Sequence, residues 1–225
     1  MCGRFVSRTD AEIERAFALT RSQWRKDWTG FNVAPSTPVP VVRDLDGARQ
    51  GVIMRWGLIP IWARGVPPGY STINARVETI GTAASYRGPW KRGQRCVIPA
   101  LGFYEWKHLA GGKQPWFIRM VDGEPFGLAG LWDRSVRADG EPVDSCTIIT
   151  VPANLLVAGI HAKGRMPGML TAEACTAWLE GTPAQARALL VPFPADLMEA
   201  YPVSARVNSP GNDGPDLVER VDLGN

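Results

Sequence analysis

The chain has 225 residues, 45% of them hydrophobic, with 25 Lys and Arg against 22 Asp and Glu. That length supports one large domain or two small ones with a buried core, and 9 Trp with 21% charged residues exclude a disordered polar chain. No run approaches the ~18 consecutive apolar residues of a spanning helix. The opening Met1-Cys2-Gly3-Arg4-Phe5 lacks the apolar stretch of a secretory signal, so a cytoplasmic protein with no membrane partner is expected.

Taken in chain order, Thr9-Asp10-Ala11-Glu12 fits a capping box, and Ile13, Ala16 and Phe17 share a helical face, which predicts a helix over roughly 10–19. Val39-Val42 and Val52-Trp56 read as strands around a turn at Asp46-Gly47. Residues 59–71 hold Pro60, Gly65, Pro67, Pro68 and Gly69 and read as a surface loop carrying Trp62. Further strands are predicted over 96–99, 102–107, 116–121, 127–132 and 146–151, each rich in β-formers and bounded by Gly, Pro or Asp. Two late helices follow: one from Thr171 to Leu179, and one capped by Thr182 with Pro183 at its first position, running to Leu190. Many strands, few helices and no regular βαβ alternation predict an α+β fold with a mainly antiparallel, barrel-like sheet in a single domain, ending in an acidic tail over about 209–225.

The net charge of +3 conceals an uneven distribution. Between Gly47 and Tyr104 lie Arg49, Arg55, Arg64, Arg76, Arg87, Lys91, Arg92 and Arg95 with the single acid Glu78, a net of +7; the remaining 17 cations and 21 acids sum to −4. Such polarity can build a field that attracts a polyanion, or the arginines can scatter and pair with acids elsewhere. Cys96, Cys146 and Cys175 sit among apolar neighbours as small hydrophobes. With no CxxC pair and only His108 and His161, neither a metal nor another cofactor is expected.

Cys2 differs by position. Once Met1 is removed, it carries an α-amine of ordinary pKa about 7.7–8.0 beside a thiol near 8.5, so both are partly deprotonated close to neutrality. That pair can condense with an aldehyde and close a thiazolidine ring; the plain alternative is a chance Cys on a frayed terminus.

Six ordered patches carry a family resemblance: Cys2-Gly3-Arg4-Phe5; Phe31-Asn32-Val33-Ala34-Pro35; Arg55-Trp56-Gly57-Leu58-Ile59-Pro60; Asn74-Ala75-Arg76-Val77-Glu78-Thr79; Gly102-Phe103-Tyr104-Glu105-Trp106-Lys107; and Ile160-His161 with Arg165-Met166-Pro167 ahead of Pro202-Val203-Ser204. Together they resemble the SRAP family of abasic-site processing proteins, from Cys2 to about Asn208. The resemblance implies a DNA-repair protein that binds single-stranded DNA containing abasic sites and joins its N-terminal Cys covalently to the ring-opened sugar. It implies lyase-like Schiff-base chemistry, then a thiazolidine, with Cys2 as nucleophile and Asn74, Glu105 and His161 at the other active positions. Read without the family, Glu105 could be an outward polar residue of a strand, His161 structural, and Asn74 a turn or cap residue.

For DNA holding, Arg4, Arg76 and Arg165 are expected at phosphates near the lesion, with Asn32, Pro35 and Met166 on the same face. Arg87, Lys91, Arg92 and Arg95 form a candidate backbone-tracking stripe with Tyr86 and Trp90. Trp62 is a candidate stacking platform, or else a plug packed on the core. Many family members have an Asp directly after the active His; here His161-Ala162-Lys163-Gly164-Arg165 is two residues longer and lacks that acid, which would orient the imidazole. Two other functions fit parts of the pattern: an N-terminal cysteine (auto)peptidase that removes Met1, and a non-covalent single-strand binding module. No sign of oligomerisation is present, so a monomer is expected.

Overall fold

The computed structural model describes residues 2–24 and 28–223. Met1, whose removal was expected, and the last two residues of the predicted acidic tail lie outside the described residues. The first half of the chain folds as β1 (Phe5–Thr9), α1 (Ala11–Ala16), β2 (Arg21–Ser22), β3 (Trp28–Val33), β4 (Pro38–Leu45), β5 (Ala48–Trp56), β6 (Asn74–Arg76) and α2 (Arg87–Lys91). The middle is β7 (Arg95–Ala100), β8 (Gly102–Leu109), β9 (Gly112–Met120), β10 (Phe126–Val136) and β11 (Pro142–Pro152). Then come α3 (Leu155–Ala158), β12 (Arg165–Pro167), β13 (Met169–Leu170), α4 (Ala172–Glu180), α5 (Pro183–Ala188) and β14 (Met198–Pro202).

The α+β expectation holds. Strands β4, β5, β11, β10 and β7 close on themselves as a five-stranded barrel, antiparallel except where β11 pairs β5 in parallel through Ser145–Arg55 and Cys146–Trp56. The β4–β5 hairpin turns at Asp46 and Gly47, both with positive φ (55° and 73°), the conformation that favours Asp/Asn-Gly in a two-residue turn. A second sheet, ordered β14-β9-β8-β1-β3, lies between two apolar clusters. The period of two divides its residues: Phe5 and Phe103 join the main core, while Val6 and Tyr104 join the smaller cluster with Phe117, Tyr201 and Leu217. An edge-on contact between Phe5 and Trp56, with centroids 5.1 Å apart, pins the N-terminal strand against the barrel.

Two local expectations need correction. Asp10, not Thr9, caps α1: its Oδ1 accepts from the backbone N of Glu12 and Ile13 at 3.0 and 2.9 Å, while Thr9 belongs to β1. That helix stops at Ala16, because Ala18 takes a left-handed φ of 50°. The acidic segment from 209 onward packs on the fold: Asp213 Oδ1 accepts from Phe31 N and Asn32 N at 2.6 and 3.1 Å, and Leu217 is fully buried. The second late helix does begin with the expected Thr182 cap and Pro183, in a complete capping box with Gln185. No described helix is long and apolar enough to cross a membrane.

Candidate active site

Strand pairing carries the start of the chain to Glu105. Phe5 faces Phe103 and Val6 faces Gly102 in the β1–β8 ladder, and Tyr104 N donates to Arg4 O at 3.0 Å, so residues 2–4 continue alongside β8 toward Glu105. Cys2 is completely buried, with its Sγ 3.8 Å from Arg4 O. Asn74 opens β6, which lies parallel to β11 through Asn74–Ile148. Its Nδ2 donates to Cys2 O at 2.9 Å, and its own carbonyl accepts from Tyr86 OH at 3.1 Å. Asn74 Oδ1 is buried without a hydrogen-bond partner among the described residues.

Glu105 is 3% exposed, on the β8 face that also carries Phe103 toward the main core. Burial raises its pKa to about 7, so the carboxyl exchanges protons near neutrality. Burial also pushes the Cys2 thiol up, and the Glu105 charge acts in the same direction. His161 follows α3, whose N-cap Asn154 accepts from Val157 N at 2.9 Å, and His161 N donates to Val157 O at 2.8 Å. Its Nε2 lies 3.8 Å from Glu105 Oε2, and its Nδ1 lies 2.9 Å from Arg165 O. Burial lowers the His161 pKa and favours the neutral ring. Gly164, with φ of 57°, turns the longer loop back so that Arg165 meets the imidazole. The backbone of that loop thus holds the ring where a side-chain acid is missing.

Cys2, Asn74, Glu105 and His161 therefore gather from four separate segments. Beside them opens a cleft of about 400 Å³, lined by Glu105, Trp106, His108, Lys113, His161 and Lys163 among others. His108, Lys113 and Asn208, which accepts from Trp106 Nε1 at 2.7 Å, were not singled out for the site from the sequence, whereas Tyr86, expected in the DNA stripe, is buried with its hydroxyl on Asn74 O. Among the described residues no group of three His, Cys, Asp or Glu is arranged to hold a metal ion.

The expected DNA residues divide. Arg76, Arg87 and Lys91 are exposed and make no ion pair among the described residues. Trp62 is 54% exposed and walls a second cleft of about 440 Å³ with Ser85, Arg87 and Arg92. Arg92 also pairs with buried Asp133 at 2.9 Å. Arg165 is occupied by Glu78 and Thr150, and Arg4 by Asn32 Oδ1 and Val207 O at 2.9 and 2.8 Å. Asn32 and Met166 are buried, contrary to a place on the DNA face: the Asn32 amide ties down Val207, Ser209 and Asn212, and Met166 Sδ accepts from Asn154 N. Pro35 is partly buried at the turn leading to β4. Arg95, expected in the stripe, is buried against the end of α4, donating to Trp178 O, Leu179 O and Gly181 O at 2.5, 3.1 and 2.5 Å.

A family model described as SOS response associated peptidase (SRAP) matches residues 1–210. The abasic site processing protein YoqW of Bacillus subtilis is 41% identical over 227 residues, covering 97% of this chain and 99% of that protein. HMCES of Gallus gallus, also named an abasic site processing protein, is 33% identical over 267 residues, covering all of this chain and 79% of its own. Among solved structures, a protein from Bacteroides thetaiotaomicron superposes with a TM-score of 0.82 at 29% identity, covering 98% of this chain and 100% of that one. A second, from Bordetella bronchiseptica, gives 0.78 at 31% identity, covering 90% and 100%. The fold, the ordered motifs and these relatives agree, and the chain belongs to the SRAP family.

Proposed function

We propose that this protein captures abasic sites in single-stranded DNA by a covalent bond to Cys2. The observation that carries this reading is the convergence of a buried Cys2 with a carboxyl of pKa about 7, Glu105, and a neutral-leaning imidazole, His161. With Met1 removed, the Cys2 amine attacks the aldehyde of the ring-opened sugar, and the carbinolamine loses water to give an imine. The thiol then adds across the C=N bond, its proton passes to nitrogen, and a thiazolidine closes with one water lost in all.

Each proton transfer needs a group that accepts and donates at neutral pH, and Glu105 has that property. His161 faces the same carboxyl and is suited to the sugar oxygen as the ring opens. Asn74 fixes the Cys2 carbonyl and so orients the residue whose amine reacts. Arg76, Arg87, Lys91 and the Trp62 ring supply exposed charge and a stacking face for single-stranded DNA. A peptidase step that frees Cys2 uses the same groups and is a maturation of this site, not a competing function.

The test is a denaturing gel of wild type and Cys2→Ala mixed with single-stranded DNA containing one abasic site. A heat-stable slow band with wild type alone is expected. Its absence from wild type, with DNA binding intact in both, leaves a non-covalent binding module.

A further inference from the structure

Glu78, the one acid of the +7 segment, lies outside the cleft that Glu105 and His161 line, and its side chain is half exposed. Its two carboxylate oxygens nevertheless grip both ends of the Arg165 fork, Oε1 on Nη1 at 2.5 Å and Oε2 on Nη2 at 3.1 Å. The same Nη2 donates to Thr150 O at 2.6 Å, so the guanidinium is fixed between the Asn74–Thr79 segment and β11. A bidentate Arg–carboxylate pair is directional as well as charged, and it fixes the residue that bears it. The backbone of Arg165 cradles His161: its carbonyl lies 2.9 Å from Nδ1 and its own N–H 3.3 Å from the same nitrogen.

That double contact has a chemical consequence. When Nδ1 bears the proton, it donates to Arg165 O and leaves Nε2 as an acceptor. When Nδ1 is bare, it accepts from Arg165 N and Nε2 becomes the donor. The backbone of one residue, through the two peptides that flank it, therefore supports both tautomers, and Nε2 on the Glu105 side can take either role without the ring losing its anchor. Burial disfavours the imidazolium through which a ring fixed in one tautomer would pass to change role at Nε2, so access to both neutral forms matters here.

We propose that Glu78 is a positioning residue of this site: by clamping Arg165 it holds the backbone that lets His161 act as both donor and acceptor. It fills, through Arg165, the orienting role for which the longer His161–Arg165 loop has no acid. The inference rests on the covalent reading of Cys2. The charged groups facing the ring are Glu105 from β8 and Lys163 from its own loop; His108 and Lys113 line the same cleft, and Arg76 acts on Glu78.

The experiment compares wild type, Glu78→Gln and Glu78→Asp for the rate of crosslink formation and of reversal across pH 5 to 9, on single-stranded DNA with one abasic site. The 15N shifts of the His161 ring are measured on the same proteins. Glu78→Gln keeps the shape and removes the charge at a half-exposed position. It is expected to slow both rates about tenfold, less than loss of an acid–base group itself, and to shift the pH profile and the ring's tautomer ratio; Glu78→Asp restores part of each. Unchanged rates, profile and 15N shifts in Glu78→Gln overturn the proposal. So does faster crosslinking with tighter binding of undamaged DNA, which assigns Glu78 the role of restraining a phosphate-binding Arg165. If wild type forms no crosslink, the covalent reading fails, while the ring's 15N shifts still decide whether Glu78 sets its tautomer.

Discussion

The buried polar cluster around Cys2 and the basic segment between Gly47 and Tyr104 treat charge in opposite ways. Around Cys2, groups that prefer water are held out of it: Glu105 is raised to about 7, the thiol is raised, His161 is lowered, and Asn74 Oδ1 has no described partner. In the basic segment, several cations complete the frame: Arg95 caps α4, Arg49 pairs with Glu180 at 2.5 Å, and Arg55 donates to Gly57 O at 2.8 Å. Only Arg64, Arg76, Arg87 and Lys91 of that segment are exposed without an ion pair among the described residues. A count of charge along the chain therefore overstates the surface offered to a polyanion, whereas strained protonation marks a small and specific site.

Replacing Glu105 by Gln breaks the contrast most severely. Crosslinking should slow about 100-fold or more, the scale of a lost acid–base group. Stability should move the other way, because the native state binds the carboxyl proton more tightly than the unfolded chain does. Between the unfolded value near 4.5 and the native value of about 7, rising pH therefore removes stability, and above 7 the loss is complete. Thermal or urea unfolding should find Glu105→Gln more stable than wild type at pH 8 by on the order of 3 kcal/mol, with this titration-dependent gain gone by pH 4. An equal difference at both pH values would contradict the assignment of a raised carboxyl.

Arg95→Ala tests the structural side. It uncaps α4 and leaves buried carbonyls unpaired, so a loss of about 3 kcal/mol in unfolding free energy is expected. The salt dependence of DNA binding should stay at the wild-type slope. Arg87→Ala and Lys91→Ala are the converse and the smallest effects. Each should leave stability within about 0.5 kcal/mol and reduce the slope of log K against log salt by about 0.7 for single-stranded DNA. A slope change in Arg95→Ala, or none in the other two, would erase the distinction between framing and free cations.

Much of the fold is readable in local pattern. The β4–β5 hairpin announces itself through alternating Val and Ile around Asp46-Gly47, and α5 through Thr182-Pro183 with Gln185. Strand β6 and the β1–β8 pairing are not readable that way, because their partners lie far along the chain and their segments are short. The four groups at the site were named by their motifs, yet their meeting depends on those two unreadable pairings. Asn32 and Arg95 prove to be framing residues for a related reason: a lone Arg or Asn has the same sequence signature whether it faces phosphate or carbonyl oxygens. Glu78 looked like a minor exception in a basic stretch, and only its contact with Arg165 ties it to the site.

The central claim, that Cys2 supplies both amine and thiol to one aldehyde, is tested most directly by intact mass of the adduct formed with a short abasic oligonucleotide. The account predicts the mass of the chain without Met1 plus the oligonucleotide minus one water, stable to heat without any reductant and absent from Cys2→Ala. An adduct that retains Met1, or one formed equally by Cys2→Ala, would contradict it.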